Sequence, residues 1–207
     1  MGCENVGIWE PVAQNLLNAR LGIVGTIAVP GGEKTYGEKG RDCVSEFMDT
    51  RTGVFHEEAF RHLLTREAGR ATRYQDFFSV CLLRPDVADD RRHLEEIERA
   101  ISEKIPEFVR ATDVVGHLSS AIAVILLHTA GTDALRVADR IRASLEQVAF
   151  REGPEGRAQR LTVSVGKVSF PNDGHTDAIL LSQALAYLEQ AVERGGNQVS
   201  HGSGSPS

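Results

Sequence analysis

Arg110 and Asp113 stand three residues apart in "VRATDVVGHLSSAIAVILLH", residues 109–128, and a Ser119-Ser120 pair then separates two apolar runs. A guanidinium carries a planar fork of donors, whereas an ionised carboxylate carries only acceptors. Two chemistries suit the pair. It is either a solvated ion pair, worth about 0–1 kcal/mol, or a grip on a small anionic ligand, for which a few local arginines suffice. Arg136 and Arg140, one turn apart in "DALRVADRIR", add two cations on one helical face. The serines lack the histidine and aspartate pattern that would activate a nucleophile. Asp86, Asp89 and Asp90 are interleaved with Arg84, Arg91 and Arg92, so they read as solvated acids at a helix start rather than a metal site.

Composition narrows the classes. The 207 residues are 41% apolar and 25% charged, which fits a globular domain with a flanking segment. A net charge of −6 argues against a nucleic-acid polymer, since phosphate backbones call for a basic face. Cys3, Cys43 and Cys81 are scattered and odd in number, which points to reduced thiols and a cytoplasmic location. The strongest apolar run, Ala121 to Leu127, is too short to span a bilayer, and no signal peptide opens the chain. Met1-Gly2-Cys3 lacks the Ser or Thr that myristoylation requires, because Val6 stands there.

The elements that position these residues follow from periodicity. Residues 1–44 read as a short helix entered through Pro11, an apolar stretch to Val29 and a glycine-rich linker over 30–42. The main domain spans 45–200, and 201–207 reads as a disordered tail. Within the domain, helical faces are set by Phe60, Leu63, Leu64 and Ala68, by Leu94, Ile97 and Ile101, by Ala134 to Val148 with Thr132 as N-cap, and by Leu181 to Ala191. Strands are expected at Phe77–Leu83, Thr112–Leu118, Ala121–His128, Leu161–Phe170 and, as an edge, Gln198–His201. Thr112–Leu118 and Ala121–His128 form an antiparallel hairpin about Ser119-Ser120. Helices crossing between strands make an α/β or α+β sandwich of one mixed sheet covered by helices.

Several stretches in this order resemble the GGDEF family, the diguanylate cyclases that make cyclic di-GMP. The family's opening D-x-L-T-G-L-x-N-R-R-x-F is matched by "DTRTGVFHEEAF", Asp49 to Phe60. Its strand motif T-V-S-[IV]-G is Thr162 to Gly166, and its closing motif survives as "ALAYLEQAVERGGN", Ala184 to Asn197. The R-x-x-D motif, five residues and a hairpin lie between them. The resemblance implies an α+β, nucleotidyl-cyclase-like sheet with a central antiparallel hairpin.

It also implies which chemistry has been lost. The family's G-G-[DE]-E-F positions are Ser119, Ser120, Ala121, Ile122 and Ala123 here, so both carboxylates are gone. The other metal-binding aspartate corresponds to Arg84, a cation that opposes Mg²⁺. His56 replaces the base-reading Asn, His117 stands at the Arg before the hairpin tip, and Val192 replaces the phosphate-binding Lys. The resemblance therefore implies no cyclase activity, no metal and no cofactor.

What remains is the family's product-binding site. The resemblance assigns cyclic di-GMP to Arg110 and Asp113, with Arg140 as the third contact and Arg136 assisting. Guanine O6 and N7 suit an arginine fork, and its N–H donors suit a carboxylate. The expected function is that of a bacterial signal-transduction receptor for cyclic di-GMP, working through a ligand-induced homodimer and a downstream protein partner. A nucleotide-independent interaction scaffold on the same fold is the alternative.

Overall fold

The computed structural model describes residues 27–29, 32–34, 47–49, 52–86, 91–118, 121–151 and 158–202. Among these, the strands are β1 Ile27–Val29, β2 Gly32–Lys34, β3 Met48–Asp49, β4 Val54–Phe55, β5 Phe78–Pro85, β6 Val114–Leu118, β7 Ala121–Leu127, β8 Ala149–Arg151, β9 Ala158–Arg160, β10 Val163–Phe170 and β11 Val199–His201. The helices are α1 Glu57–Tyr74, α2 Arg91–Lys104, α3 Gly131–Gln147 and α4 Asp177–Glu193. Seven strands form one mixed sheet in the order β11-β10-β5-β7-β6-β4-β3. β11 runs parallel to β10 and β4 parallel to β6, while β5, β6, β7 and β10 pair antiparallel. This is the expected α+β sandwich.

Each face of the sheet has its own core. Phe60, Leu64, Leu180, Ala184 and Leu188 bring α1 and α4 against Leu82, Ala123 and Val168. On the other face Ile101, Ala138, Ile141 and Leu145 bring α2 and α3 against Cys81, Val124 and Val165. β5 and β10 are therefore covered on both sides, which is why nearly every residue of both is buried and why β5 reads as an apolar run instead of an alternating one. Gly166 lets α4 lie directly on the sheet, since a Cβ there would sit 2.1 Å from the Ala184 carbonyl oxygen and 2.5 Å from the Leu188 nitrogen.

Several expectations need correction. The start of the 30–42 stretch is not linker: Gly32–Lys34 pairs antiparallel with Ile27–Val29. The helix entered through Pro11 lies outside the described residues. α3 is capped at Ala130, so Thr132 falls in its first turn. β11 carries the chain in sheet through His201, which removes that residue from the tail. The β3–β4 and β8–β9 pairs were not expected at all. Among the described residues no helix is long and apolar enough to cross a membrane.

Lys167 is the anomaly of this core. It sits in mid-β10, 5% exposed, opposite Cys81 of β5. Burial lowers its pKa, and the charge of Asp173 partly opposes that. Burial likewise pushes the Cys81 thiol up to about 12. A buried ammonium is costly where it is poorly compensated. Because the folded pKa lies below that of the unfolded chain, the cost is complete below the folded pKa and fades as pH rises towards 10.5. Lys167→Met is therefore expected to raise the unfolding free energy by on the order of 1 kcal/mol at neutral pH. In urea titrations that gain should shrink in alkaline buffer, and a gain that is constant or grows with pH would contradict this assignment.

Candidate functional site

Arg110 and Asp113 occupy the turn that leads into β6. A short 3-10 turn, Ile105–Glu107, ends at Phe108, whose N–H donates to the Ile105 carbonyl at 2.9 Å. Two residues later the chain closes on itself. The Arg110 N–H donates to Asp113 Oδ2 at 2.8 Å, and the Asp113 N–H donates to the Arg110 carbonyl at 3.0 Å. Asp113 Oδ1 also accepts the Leu127 N–H at 3.2 Å, which fastens the turn to the end of β7. Asp113 is 4% exposed, whereas Arg110 is exposed. The motif thus divides into a buried carboxylate that shapes the turn and a guanidinium that faces solvent.

Arg140 joins this turn from α3. Its Nη2 donates to the Phe108 carbonyl at 3.1 Å, which ties the exposed Arg140 to the loop that also carries the exposed Arg110. Arg136 lies one turn nearer the helix start, donates to Asp133 at 2.9 Å and is 79% exposed. The structure brings Arg110, Asp113 and Arg140 together, and holds Arg136 on its own helix.

The Leu118–Ala121 pair closes β6 and β7 at the end of these strands away from the Arg110–Asp113 turn. Ser119 and Ser120 fall outside the described residues. Ala121, Ile122 and Ala123 are buried at the start of β7, opposite Leu118, His117 and Gly116. Arg84 faces Ser164 of β10 and follows Leu83, which pairs with Ile122. Asp86 is not the solvated helix-start acid that the sequence suggested. Its oxygens accept Ser164 Oγ at 2.6 Å and the Asn197 N–H at 2.8 Å. Asn197 in turn accepts from Arg142 at 2.6 Å and donates to Glu146 at 3.2 Å, so β5, β10, α3 and the loop after α4 are clasped together.

His117 is half-buried. Ser102 Oγ donates to the Glu98 carbonyl at 2.7 Å, so at the 3.2 Å contact it accepts from His117 Nε2. Burial lowers the His117 pKa, with His56 adding to this and Asp49 opposing it. His56 caps α1 through its backbone only and is exposed. Among the described residues, no three His, Cys, Asp or Glu side chains are grouped to hold a metal.

Sheet, central hairpin and helix placement define a cyclase-like α+β sandwich with an arginine-lined turn at one end. Residues 92–198 match the family described as diguanylate cyclase, GGDEF domain, and the chain belongs to that family. The GGDEF domain of YfiN (TpbB) from Pseudomonas aeruginosa is 23% identical with a TM-score of 0.65, over 72% of this chain and 97% of that one. The coiled-coil and GGDEF domain of DgcB from Caulobacter crescentus, solved in complex with c-di-GMP, is 17% identical with a TM-score of 0.67, over 80% and 93%. Diguanylate cyclase SiaD from Pseudomonas aeruginosa, in complex with its activator SiaC, is 20% identical with a TM-score of 0.67, over 96% and 77%. A search of curated proteins finds no match. At these identities the likeness establishes the fold, and the chemistry rests on this chain's own residues.

Proposed function

We propose that this chain is a catalytically inactive GGDEF-domain protein that acts as a cyclic di-GMP receptor at Arg110, Asp113 and Arg140. The observation that carries the reading is the tie of Arg140 to the loop that carries Arg110 and that Asp113 closes. Guanidinium forks suit both the phosphates and the O6/N7 edges of such a ligand. Inactivity is supported by residue type. Mg²⁺, the metal of the family, does not fit Arg84 and Ala121 at its two carboxylate positions. Asp86, the nearest acid to Arg84 in the chain among the described residues, is already bonded to Ser164 and Asn197.

With no catalysis to inhibit, occupancy matters only through shape or association. A stacked ligand pair held from one side leaves a second side for arginines of another copy, giving a two-fold contact that an unidentified protein partner can read. The engagement of Asp113 with backbone favours one other reading, a nucleotide-independent scaffold in which R-x-x-D merely shapes a turn. Thermal shift and light scattering separate the two. Cyclic di-GMP is expected to raise the melting midpoint through mass action and to move the mass towards a dimer, with Arg140→Ala weakening the dimer more than the first binding event. GTP is expected to do neither. A midpoint raised by GTP alone would place the ligand at the wrong end of the sheet, and no response to either nucleotide would favour the scaffold.

A further inference from the structure

We propose that His117 is a proton-operated latch for α2, and that mild acid frees this helix from β6 and loosens the turn that follows it. The inference is independent of what the Arg110 turn binds. Gly116 faces α1, since a Cβ there would collide with the Phe60 ring. The next side chain along β6 therefore points to the opposite face of the sheet, the one α2 covers. There His117 meets Ser102, a residue only 1% exposed, at 3.2 Å. The Ser102 hydroxyl already donates to the Glu98 carbonyl at 2.7 Å, so it can only accept from the ring. That contact fixes the proton on Nε2 and leaves Nδ1 as the place for a second.

A second proton is disfavoured where the ring lies. Burial is the largest influence against it, the charge of His56 at the start of α1 adds to that, and Asp49 of β3 opposes both. β7 places the apolar Ile122 opposite His117, and on α2 the half-buried Glu98 stands one turn before Ser102. The charged ring gains water only if something moves. β6 is held in the sheet by β7 on one side and β4 on the other. α2 is the looser element. It rests on Ile97 and Ile101, with Ile105 just beyond its end, and its first turn holds no acidic residue, which the helix dipole would favour there. Because the folded pKa of His117 lies below the ordinary 6.5, docking of the helix keeps its full stability above that pH and loses it as pH falls. α2 runs straight into the 3-10 turn Ile105–Glu107 and Phe108, whose carbonyl holds Arg140. Freeing the helix therefore loosens the chain up to Arg110.

Amide exchange on the intact, unliganded chain tests this. After correction for intrinsic rates, protection over residues 97–110 is expected to fall by about threefold or more between about pH 7.5 and about pH 5.5, while β5 and β10 keep theirs. His117→Gln retains a donor for Ser102 but takes no proton, so its α2 protection should be the same at both pH values. Unchanged protection in the wild type, a loss shared equally by β5 and β10, or an equal fall in His117→Gln would overturn the proposal. Should that variant fold poorly, the imidazole resonances of the wild type decide. His117 is expected to titrate below 6.5, and closer to 6.5 in His56→Gln, which removes the like charge. Titration at or above 6.5, or a lower midpoint in His56→Gln, would overturn it.

Discussion

Gly166→Ala is expected to lower the unfolding free energy by about 3 kcal/mol or more, a large share of the total. A Cβ at this position meets the Ala184 carbonyl oxygen at 2.1 Å and the Leu188 nitrogen at 2.5 Å, so the obstacle is helix backbone that cannot rotate away. Relief requires α4 to lift from β10, which would loosen Leu180, Ala184 and Leu188 together from the core they share with Val168 and Phe170. Overpacking of a tight core costs about 1–3 kcal/mol or more, against a total stability of about 5–15 kcal/mol. Gly69→Ala is the control. Gly69 is exposed within α1 with nothing within 4 Å of its Cβ, so alanine there should stabilise by about 0.5–1 kcal/mol. Chemical denaturation of both variants decides it. Near-wild-type stability for Gly166→Ala would mean that α4 does not lie as close to the sheet as described.

The second large effect is an absence. Incubation with GTP and Mg²⁺ or Mn²⁺ is expected to yield no cyclic di-GMP above a no-enzyme blank. Phosphoryl transfer depends on positioning and on metal charge that neutralises the developing anion, a contribution of several kcal/mol and hence of several orders of magnitude in rate. Arg84 follows the Leu83–Ile122 pair near the start of β7, and on the proposed reading it puts a fixed cation where a metal-binding carboxylate would be needed. Val192 offers no charge to a phosphate. Measurable product would refute the inactivity on which the receptor reading depends.

Much of this fold was legible because burial on both faces writes a long apolar run. Phe78–Leu83 stands out for that reason, Val163–Phe170 is marked instead by Val163 and Val165 on one face with Gly166, and the hairpin shows because a two-serine break precedes the wholly apolar Ala121–Leu127. β3 and β4, with two residues each, and β8 and β9, with three each, are too short to leave a periodicity to read. The site was legible in residue type and spacing, not in partnership. R-x-x-D announces a cation and a carboxylate, but it cannot say that the carboxylate turns inward to Leu127 while the cation turns out. Asp86 was misread for the same reason, since its partner Asn197 lies 111 residues away.

Calorimetric titration of cyclic di-GMP into the intact protein, side by side with Arg110→Ala and Arg140→Ala, tests the receptor assignment most directly. The expected result is saturable binding to the wild type, a loss of about tenfold or more for Arg110→Ala, and a smaller loss for Arg140→Ala. Wild-type protein that takes up no ligand, or that binds no better than Arg110→Ala, would contradict it.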